Sequence, residues 1–151
     1  MENTENNALV AFNTENTTLG TIQHFIDTST RSGKIALYAA LQNADKLDEH
    51  LNETIHMTNA IAQAVQVTDD NTGEISNTVR VILVGDHGDA YAATSPTLAS
   101  GLNTLFGIFG TPDTWTEPLD IKVVTRKSRR GFKFFSIEPV TVSDNTNSVI
   151  D

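Results

Sequence analysis

The 151-residue chain has no cysteine, which excludes disulfide bonds and thiolate metal sites. It also has no apolar run approaching the roughly 20 residues that a membrane-spanning helix needs. The first residues, Met1-Glu2-Asn3-Thr4-Glu5, lack the basic start and apolar core of a signal peptide. We therefore expect a cytoplasmic protein that has no membrane partner.

Sequence signatures of catalysis are lacking as well. The chain has no glycine-rich phosphate loop, no nucleophile elbow and no Cys–His pair. No two of its four histidines have the spacing of a helical metal site. The run Asp86-His87-Gly88-Asp89 is better explained by a tight turn than by acid–base chemistry. We predict no enzymatic activity, no metal and no cofactor.

Positive charge is scarce in this chain and is concentrated in one place. Ten basic residues face nineteen acidic ones, giving a net charge of −9. Six of the ten lie in a short segment that contains no acid, namely Lys122, Arg126, Lys127, Arg129, Arg130 and Lys133. Phe132, Phe134 and Phe135 are interleaved with them. Cations beside exposed rings form single-stranded nucleic-acid sites, because the charges follow phosphates while the rings stack on bases.

Strand patterns dominate the chain. Alternating or β-branched apolar residues predict strands at 17–27, 34–41, 55–67, 78–84, 90–94, 119–125 and 132–137. The alanines of 55–67 also favour a helix, but Ile55, Met57, Ile61, Val65 and Val67 all lie at odd positions, which is the period of a strand. Residues 43–53 predict a loop or short helix. Turns are predicted at 69–73, 86–89 and 127–131.

One helix is predicted at about residues 96–109. Ser95 is a typical N-cap and Pro96 a typical first helical residue. The residues that share one helical face are Leu98, Leu102, Leu105, Phe106 and Phe109. Six or seven strands with one inserted helix indicate a mainly β fold, a small closed or partly open barrel. We predict one domain over residues 9–140, between flexible tails at 1–8 and 141–151.

The last two predicted strands and their turn form what we call the basic hairpin, residues 119–137. Strand alternation places the core side chains at Leu119, Ile121, Val123, Phe135 and Ile137. Phe132 and Phe134 then point outward, near Lys122 and Arg126. The same composition is compatible with a solvated basic turn whose three rings are all buried.

Two further aromatic residues allow more than one role. Tyr91 lies in a short predicted strand and is either a base-stacking residue or a packed one. Trp115 lies in a polar loop with prolines on both sides. It either closes the end of the barrel, touches nucleic acid or anchors a neighbouring subunit.

Residues 55–139 carry a family resemblance through the order and spacing of four segments. These are Asn59-Ala60-Ile61-Ala62-Gln63, Gly88-Asp89-Ala90-Tyr91, Leu119-Asp120-Ile121-Lys122-Val123-Val124 and Gly131-Phe132-Lys133-Phe134-Phe135-Ser136. In them the chain resembles the single-stranded DNA-binding proteins of small protein-primed bacteriophages and their Gram-positive phage and plasmid relatives. It departs from that pattern in a longer segment at 45–53 and a longer loop around Trp115. Site size and oligomeric state therefore stay open.

The resemblance implies an OB-like barrel that binds single-stranded DNA without sequence specificity. Such a protein coats and protects exposed strands during DNA replication or transfer, in the cytoplasm of a bacterial host cell. Replication proteins are then further expected partners, and a homo-oligomer or cooperative assembly on DNA stays open. The residues implied in phosphate contacts are Lys122, Arg126, Lys127, Arg129, Arg130 and Lys133, and those implied in stacking are Phe132 or Phe134, with Tyr91 as a further candidate. The alternative function is an OB-like adaptor whose basic hairpin docks an acidic partner.

Overall fold

The computed structural model describes residues 19–141. Within this range, seven strands form one sheet that curls into a half-barrel, ordered β2-β5-β4-β3-β6-β7, with β1 paired to β3. The strands are β1 (Ile22–His24), β2 (Asp45–Lys46), β3 (Ile55–Thr68), β4 (Ile75–Gly85), β5 (Ala90–Thr94), β6 (Leu119–Lys127) and β7 (Lys133–Pro139). The same residues form two α-helices, α1 (Arg31–Asn43) and α2 (Pro96–Phe109). This confirms the predicted mainly β, OB-like, partly open barrel with a helix inserted near its end.

The predicted tails and domain limits are not settled by the fold. Residues 1–18 and nearly all of the predicted C-terminal tail lie outside the described residues. The limits of the domain therefore stay predictions. No helix among residues 19–141 is both long enough and apolar enough to cross a lipid bilayer.

The long strand β3 is the centre of the sheet, and it contains a bulge. It pairs with β4 along one edge, and with β1 and β6 along the other. Pairing with β4 shifts between Met57 and Asn59, so the inward face changes there from odd to even residues. Ile55 and Met57 reach the main core before the bulge, whereas Ala60 and Ala62 reach it afterwards. The strand prediction is confirmed, but the uniform odd-numbered face is wrong, because an inserted residue reverses the alternation.

Helix α2 fills the concave side of the half-barrel. The Ser95 hydroxyl accepts a hydrogen bond from the Leu98 N–H at 3.0 Å, and the helix ends at Gly110. Its buried face packs against the inner sides of β3, β4 and β6 through Leu98, Ala99, Leu102, Leu105 and Phe106. The predicted helix, cap and face are confirmed, except that Phe109 remains 44% exposed.

Helix α1 covers the outer side of the sheet, where we predicted a strand at 34–41. That prediction is wrong. Thr30 caps the helix, since its hydroxyl accepts from the Gly33 N–H at 3.0 Å. The helical spacing of Leu37, Ala40, Leu41 and Ala44 brings these residues against Ile61, Ile82 and Ala90 of the sheet. Because helix α1 and helix α2 lie on opposite sides, β3 and β4 are buried on both faces.

The N-terminal strand prediction was too long. Within the described residues, the segment predicted at 17–27 contains only the short strand β1. The backbone then turns away from the sheet, where the Asn59 side chain accepts a hydrogen bond from the Phe25 N–H at 3.1 Å. The Phe25 ring packs edge-on against Phe106 at 5.4 Å, tying this turn to helix α2.

Candidate functional site

The basic hairpin forms as predicted, from β6, β7 and the turn between them. Ile121 and Val123 are fully buried, and Phe135 and Ile137 pack against the same core. In the turn, the Gly131 N–H donates to the Ser128 carbonyl at 2.9 Å, and Gly131 takes a positive φ of 87°. The core face of the hairpin is therefore confirmed.

The two remaining rings lie outside that core. Phe134 is half-buried and lies directly opposite Arg126 across the β6–β7 pair. Phe132 belongs to the turn rather than to β7, and 68% of it is exposed. The alternative with all three rings buried is therefore wrong for Phe132. A ring this exposed, in a turn between Arg130 and Lys133, is accessible to a flat ligand such as a base.

Positive charge on the hairpin is largely unneutralised. Among residues 19–141, Arg126 pairs with Glu138, while the other five hairpin cations form no ion pair. Lys127 and Lys133 are direct cross-strand neighbours. Like charges directly opposite each other destabilise a hairpin. The arrangement therefore does not serve stability, and it favours the binding of an anionic ligand.

A groove runs beside the hairpin, between β7 and helix α2. We call it the β7–α2 groove, and its volume is about 360 Å³. It is lined by Thr97, Leu98, Ser100, Gly101, Thr104, Phe134, Phe135, Ser136 and Ile137. Strand β7 pairs only with β6 and is therefore an edge strand of the sheet. The groove thus combines hydroxyl-bearing residues, Phe134 and an open strand edge, and its link to the cations is Phe134, which lies opposite Arg126.

Sequence reasoning missed the contribution of helix α2 to this groove. Thr97, Ser100, Gly101 and Thr104 are separated from β7 by about thirty residues of chain. Their spacing of three or four marks one polar face of the helix, which was a readable signal. That this face borders β7 depends on tertiary packing, which the sequence pattern does not reveal.

Tyr91 is not brought together with the basic hairpin. It lies in β5, four positions away from β7 in the sheet order. Its hydroxyl donates to the Asp89 carboxylate at 2.7 Å, and its ring meets His50 edge-on at 4.8 Å. Burial and this hydrogen bond raise the pKa of Tyr91 to about 12. The packed interpretation of Tyr91 fits these contacts, while a DNA-binding role for it stays a prediction.

Acidic groups surround that tyrosine. His50 contacts Asp45 at 3.2 Å and Glu53 at 2.9 Å, and the hydrogen bond with Glu53 raises the pKa of the histidine. Carboxylates this close to Tyr91 repel phosphate. The end of the sheet around β5 is therefore a less favourable place for a nucleic-acid backbone than the hairpin.

Trp115 closes one end of helix α2. Its indole N–H donates to the carbonyls of Phe109 at 3.0 Å and Gly110 at 3.1 Å. Its ring lies 6.1 Å from Phe106 and packs against the main core. Of its three predicted roles, these contacts favour closing the end of the barrel.

The residues Asp86, His87 and Asp89 form the predicted tight turn. Gly88 takes a φ of 79°, and the Asp89 carboxylate accepts from the His87 N–H at 3.1 Å. One possible ligand atom from each of the three side chains lies within 4.8 Å of the others. The Asp89 carboxylate is already engaged by Tyr91 and by the turn, which accounts for its position without a metal ion.

Comparison with known proteins identifies a family for this chain. The model of the phage single-stranded DNA-binding protein family matches residues 11–139. No curated protein and no solved structure matches the chain significantly. The family match supports single-stranded DNA as the ligand. Since it spans most of the chain, including the half-barrel and the whole basic hairpin, this protein belongs to the family of phage single-stranded DNA-binding proteins.

Proposed function

We propose that this protein coats and protects exposed single strands during DNA replication or transfer, through its basic hairpin. The observation that carries the proposal is the unneutralised charge of the hairpin in a protein of net charge −9. An acidic remainder repels nucleic acid, so a strand is directed to the surface where cations are concentrated. Coating needs affinity without sequence specificity, and this surface offers charge and rings rather than a base-reading element.

The shape of the site suggests a path for the bound DNA strand. We place phosphates on the cations Lys122, Arg126, Lys127, Arg129, Arg130 and Lys133. A base stacks on Phe132 at the turn, and the next nucleotides of the DNA enter the β7–α2 groove beside Phe134. The hydroxyl groups of Thr97 and Ser100 can donate to phosphate or sugar oxygens there, whereas the Thr104 hydroxyl donates to the Ser100 carbonyl at 3.3 Å. The action is binding alone and needs no catalytic group.

The test is a double substitution at the tip of the hairpin, Arg129→Ala with Arg130→Ala. Both residues are exposed and form no ion pair within residues 19–141, so we expect the stability to change little. Each phosphate contact contributes about 0.7 to the salt dependence of single-strand binding. The log–log slope of affinity against salt for oligothymidine should therefore become shallower by about 1.4.

The matched control is Lys46→Ala, which removes an exposed cation from β2, far from the hairpin in the sheet order. It should leave the slope of the unmodified protein unchanged. If the double variant also keeps that slope, the tip of the hairpin is not the DNA-binding surface.

A further inference from the structure

Helix α1 carries a second group of cations beside an exposed ring. Only four basic residues lie outside the hairpin, and two of them are Arg31 and Lys34 on this helix. Ile35 is 60% exposed and Tyr38 is 66% exposed. The spacing of these four residues puts them on one face of the helix, which we call the α1 surface. It repeats the composition of the basic hairpin on a different element.

The α1 surface is not explained by the stability of the fold. Arg31 and Lys34 occupy the first turn of the helix, where the helix dipole disfavours cations. Neither forms an ion pair within residues 19–141. Residues 31–44 contain no acid, although the chain has nineteen. The nearest acid along the sequence on the N-terminal side, Asp27, is bonded to Ser29 instead.

The packing of the helix explains why this surface faces solvent. The opposite face of α1 is the one that contacts the sheet, through residues such as Leu37 and Ala40. A large ring and a β-branched side chain on the remaining face cannot reach this core. Exposed aromatic rings next to cations are therefore available to a ligand that is both flat and anionic.

The α1 surface and the outer face of the hairpin lie on the same side of the sheet. Helix α1 packs on the side that Ile61 and Ile82 face. Lys122 and Arg126 alternate in β6 with Ile121 and Val123, which face the opposite, concave side. A single DNA strand that leaves the outer face of the hairpin can therefore reach helix α1 without crossing an edge of the sheet.

We propose that the α1 surface is a second contact for the same single-stranded DNA that the basic hairpin binds. Arg31 and Lys34 contact phosphates, and Tyr38 stacks on a base beside Ile35. This rests on the proposed function, and it lengthens the segment of DNA that one molecule covers. It also predicts that the α1 surface matters only for strands long enough to reach it.

The experiment compares the unmodified protein with three variants on oligothymidines of about 4 to about 16 nucleotides, the range of sites on single OB folds. The variants are Arg31→Ala with Lys34→Ala, Tyr38→Ala and Tyr38→Phe. On the longest strand, the double variant should make the salt slope shallower by about 1.4. Tyr38→Ala should weaken binding roughly ten-fold without changing the slope, and Tyr38→Phe should restore it, because stacking needs only the ring. On the shortest strand, all three should bind like the unmodified protein.

The outcomes separate this inference from the proposed function. If the unmodified protein binds and the Arg129→Ala, Arg130→Ala variant is impaired, but the α1 variants match the unmodified protein at every length, only the α1 proposal is wrong. If the α1 variants change self-association and not DNA affinity, the surface serves a second copy of the chain, which also overturns it. If no oligothymidine binds, both proposals fail. Circular dichroism of each variant checks the fold, and the Tyr38 pair retains the test if the double variant unfolds.

Discussion

At the scale of single residues, the three rings of the hairpin differ in how deeply they are buried. Phe135 contributes to the main core, whereas Phe132 is 68% exposed in the turn. Phe134 is intermediate, half-buried at the wall of the β7–α2 groove. Substitution of the three rings should therefore have graded effects on stability and binding.

We predict that Phe132→Ala leaves the unfolding temperature almost unchanged and weakens oligothymidine binding by the loss of one stacked base. A stacked base is worth about 1–3 kcal/mol, and the salt slope should stay the same because no charge is removed. Phe132→Tyr, which keeps the ring, is the control. Normal affinity of the alanine variant would show that this exposed ring does not touch DNA.

Phe134→Ala should weaken binding as well, with little change in slope, and should also lower the stability because part of the ring is buried. Thermal unfolding and fluorescence anisotropy on the same preparations separate the two effects. An unfolded variant would mean that the ring belongs to the core, and normal binding by a folded variant would remove Phe134 from the DNA-binding surface.

A third residue-scale prediction concerns His56, which faces Asp120 across the β3–β6 pair with its Nδ1 2.6 Å from the carboxylate. The hydrogen bond with Asp120 raises the pKa of His56 above its usual 6.5. A raised pKa in the folded state means that this stabilisation is complete below the unfolded value. It is then lost as the pH rises through the folded value.

Unfolding by denaturant between about pH 5 and about pH 8 tests this point. Relative to His56→Gln, the unmodified protein should be more stable at the acidic end, by up to about 1 kcal/mol for an exposed pair of this kind. The difference should vanish toward the alkaline end. A difference that does not vary with pH would contradict the assigned role of the Asp120 contact.

At the scale of elements, two glycines of helix α2 provide a matched pair. A Cβ at Gly101 or at Gly107 would meet no atom within 4 Å, and neither residue has a positive φ. Only Gly101 lines the β7–α2 groove. Both alanine variants should stabilise the protein by roughly 0.5–1 kcal/mol, because glycine is a poor residue for a helix interior.

The larger variants, Gly101→Leu and Gly107→Leu, test the groove as a path for DNA. We expect Gly101→Leu to fill part of the groove and weaken binding, while Gly107→Leu binds normally. Equal affinities for the two folded variants would mean that the strand does not use the groove.

The secondary-structure elements differ in how well the sequence predicted them. Helix α2 was predictable because its cap, its apolar face and its terminal glycine agree with one another. Helix α1 was mistaken for a strand, although Thr30 and the spacing of Leu37, Ala40, Leu41 and Ala44 indicate a helix. The β3 bulge was not predictable from alternation, since both faces of the strand around Ile61 are buried and apolar.

The parts of the candidate site also differ in how well the sequence predicted them. The hairpin was readable because its charge and its alternation are local in sequence. The β7–α2 groove and the approach of His50, with Asp45 and Glu53, to Tyr91 were not readable, because they join residues far apart in the chain. Local patterns therefore located the cations and rings of the hairpin, whereas the residues that surround them could be identified only from the fold.

At the scale of the whole molecule, the distribution of charge and the half-barrel act together. A net charge of −9 keeps phosphate away from most of the surface, and the curled sheet presents the hairpin at one edge. Six cations and the exposed Phe132 ring make this edge the larger of the two basic, aromatic surfaces among the described residues, the smaller being the α1 surface. Duplex DNA offers no unstacked base to Phe132, so the protein should bind a duplex more weakly than a single strand.

The most direct test of this account is the fluorescence anisotropy of a labelled oligothymidine titrated with the unmodified protein at several salt concentrations. If four to six cations contact phosphate, tight binding at low salt should weaken with a log–log slope of roughly −3 to −4. A duplex of equal length should bind much more weakly. Absence of binding at low salt, or equal affinity for the duplex, would contradict the claim that the basic hairpin is a single-stranded DNA site.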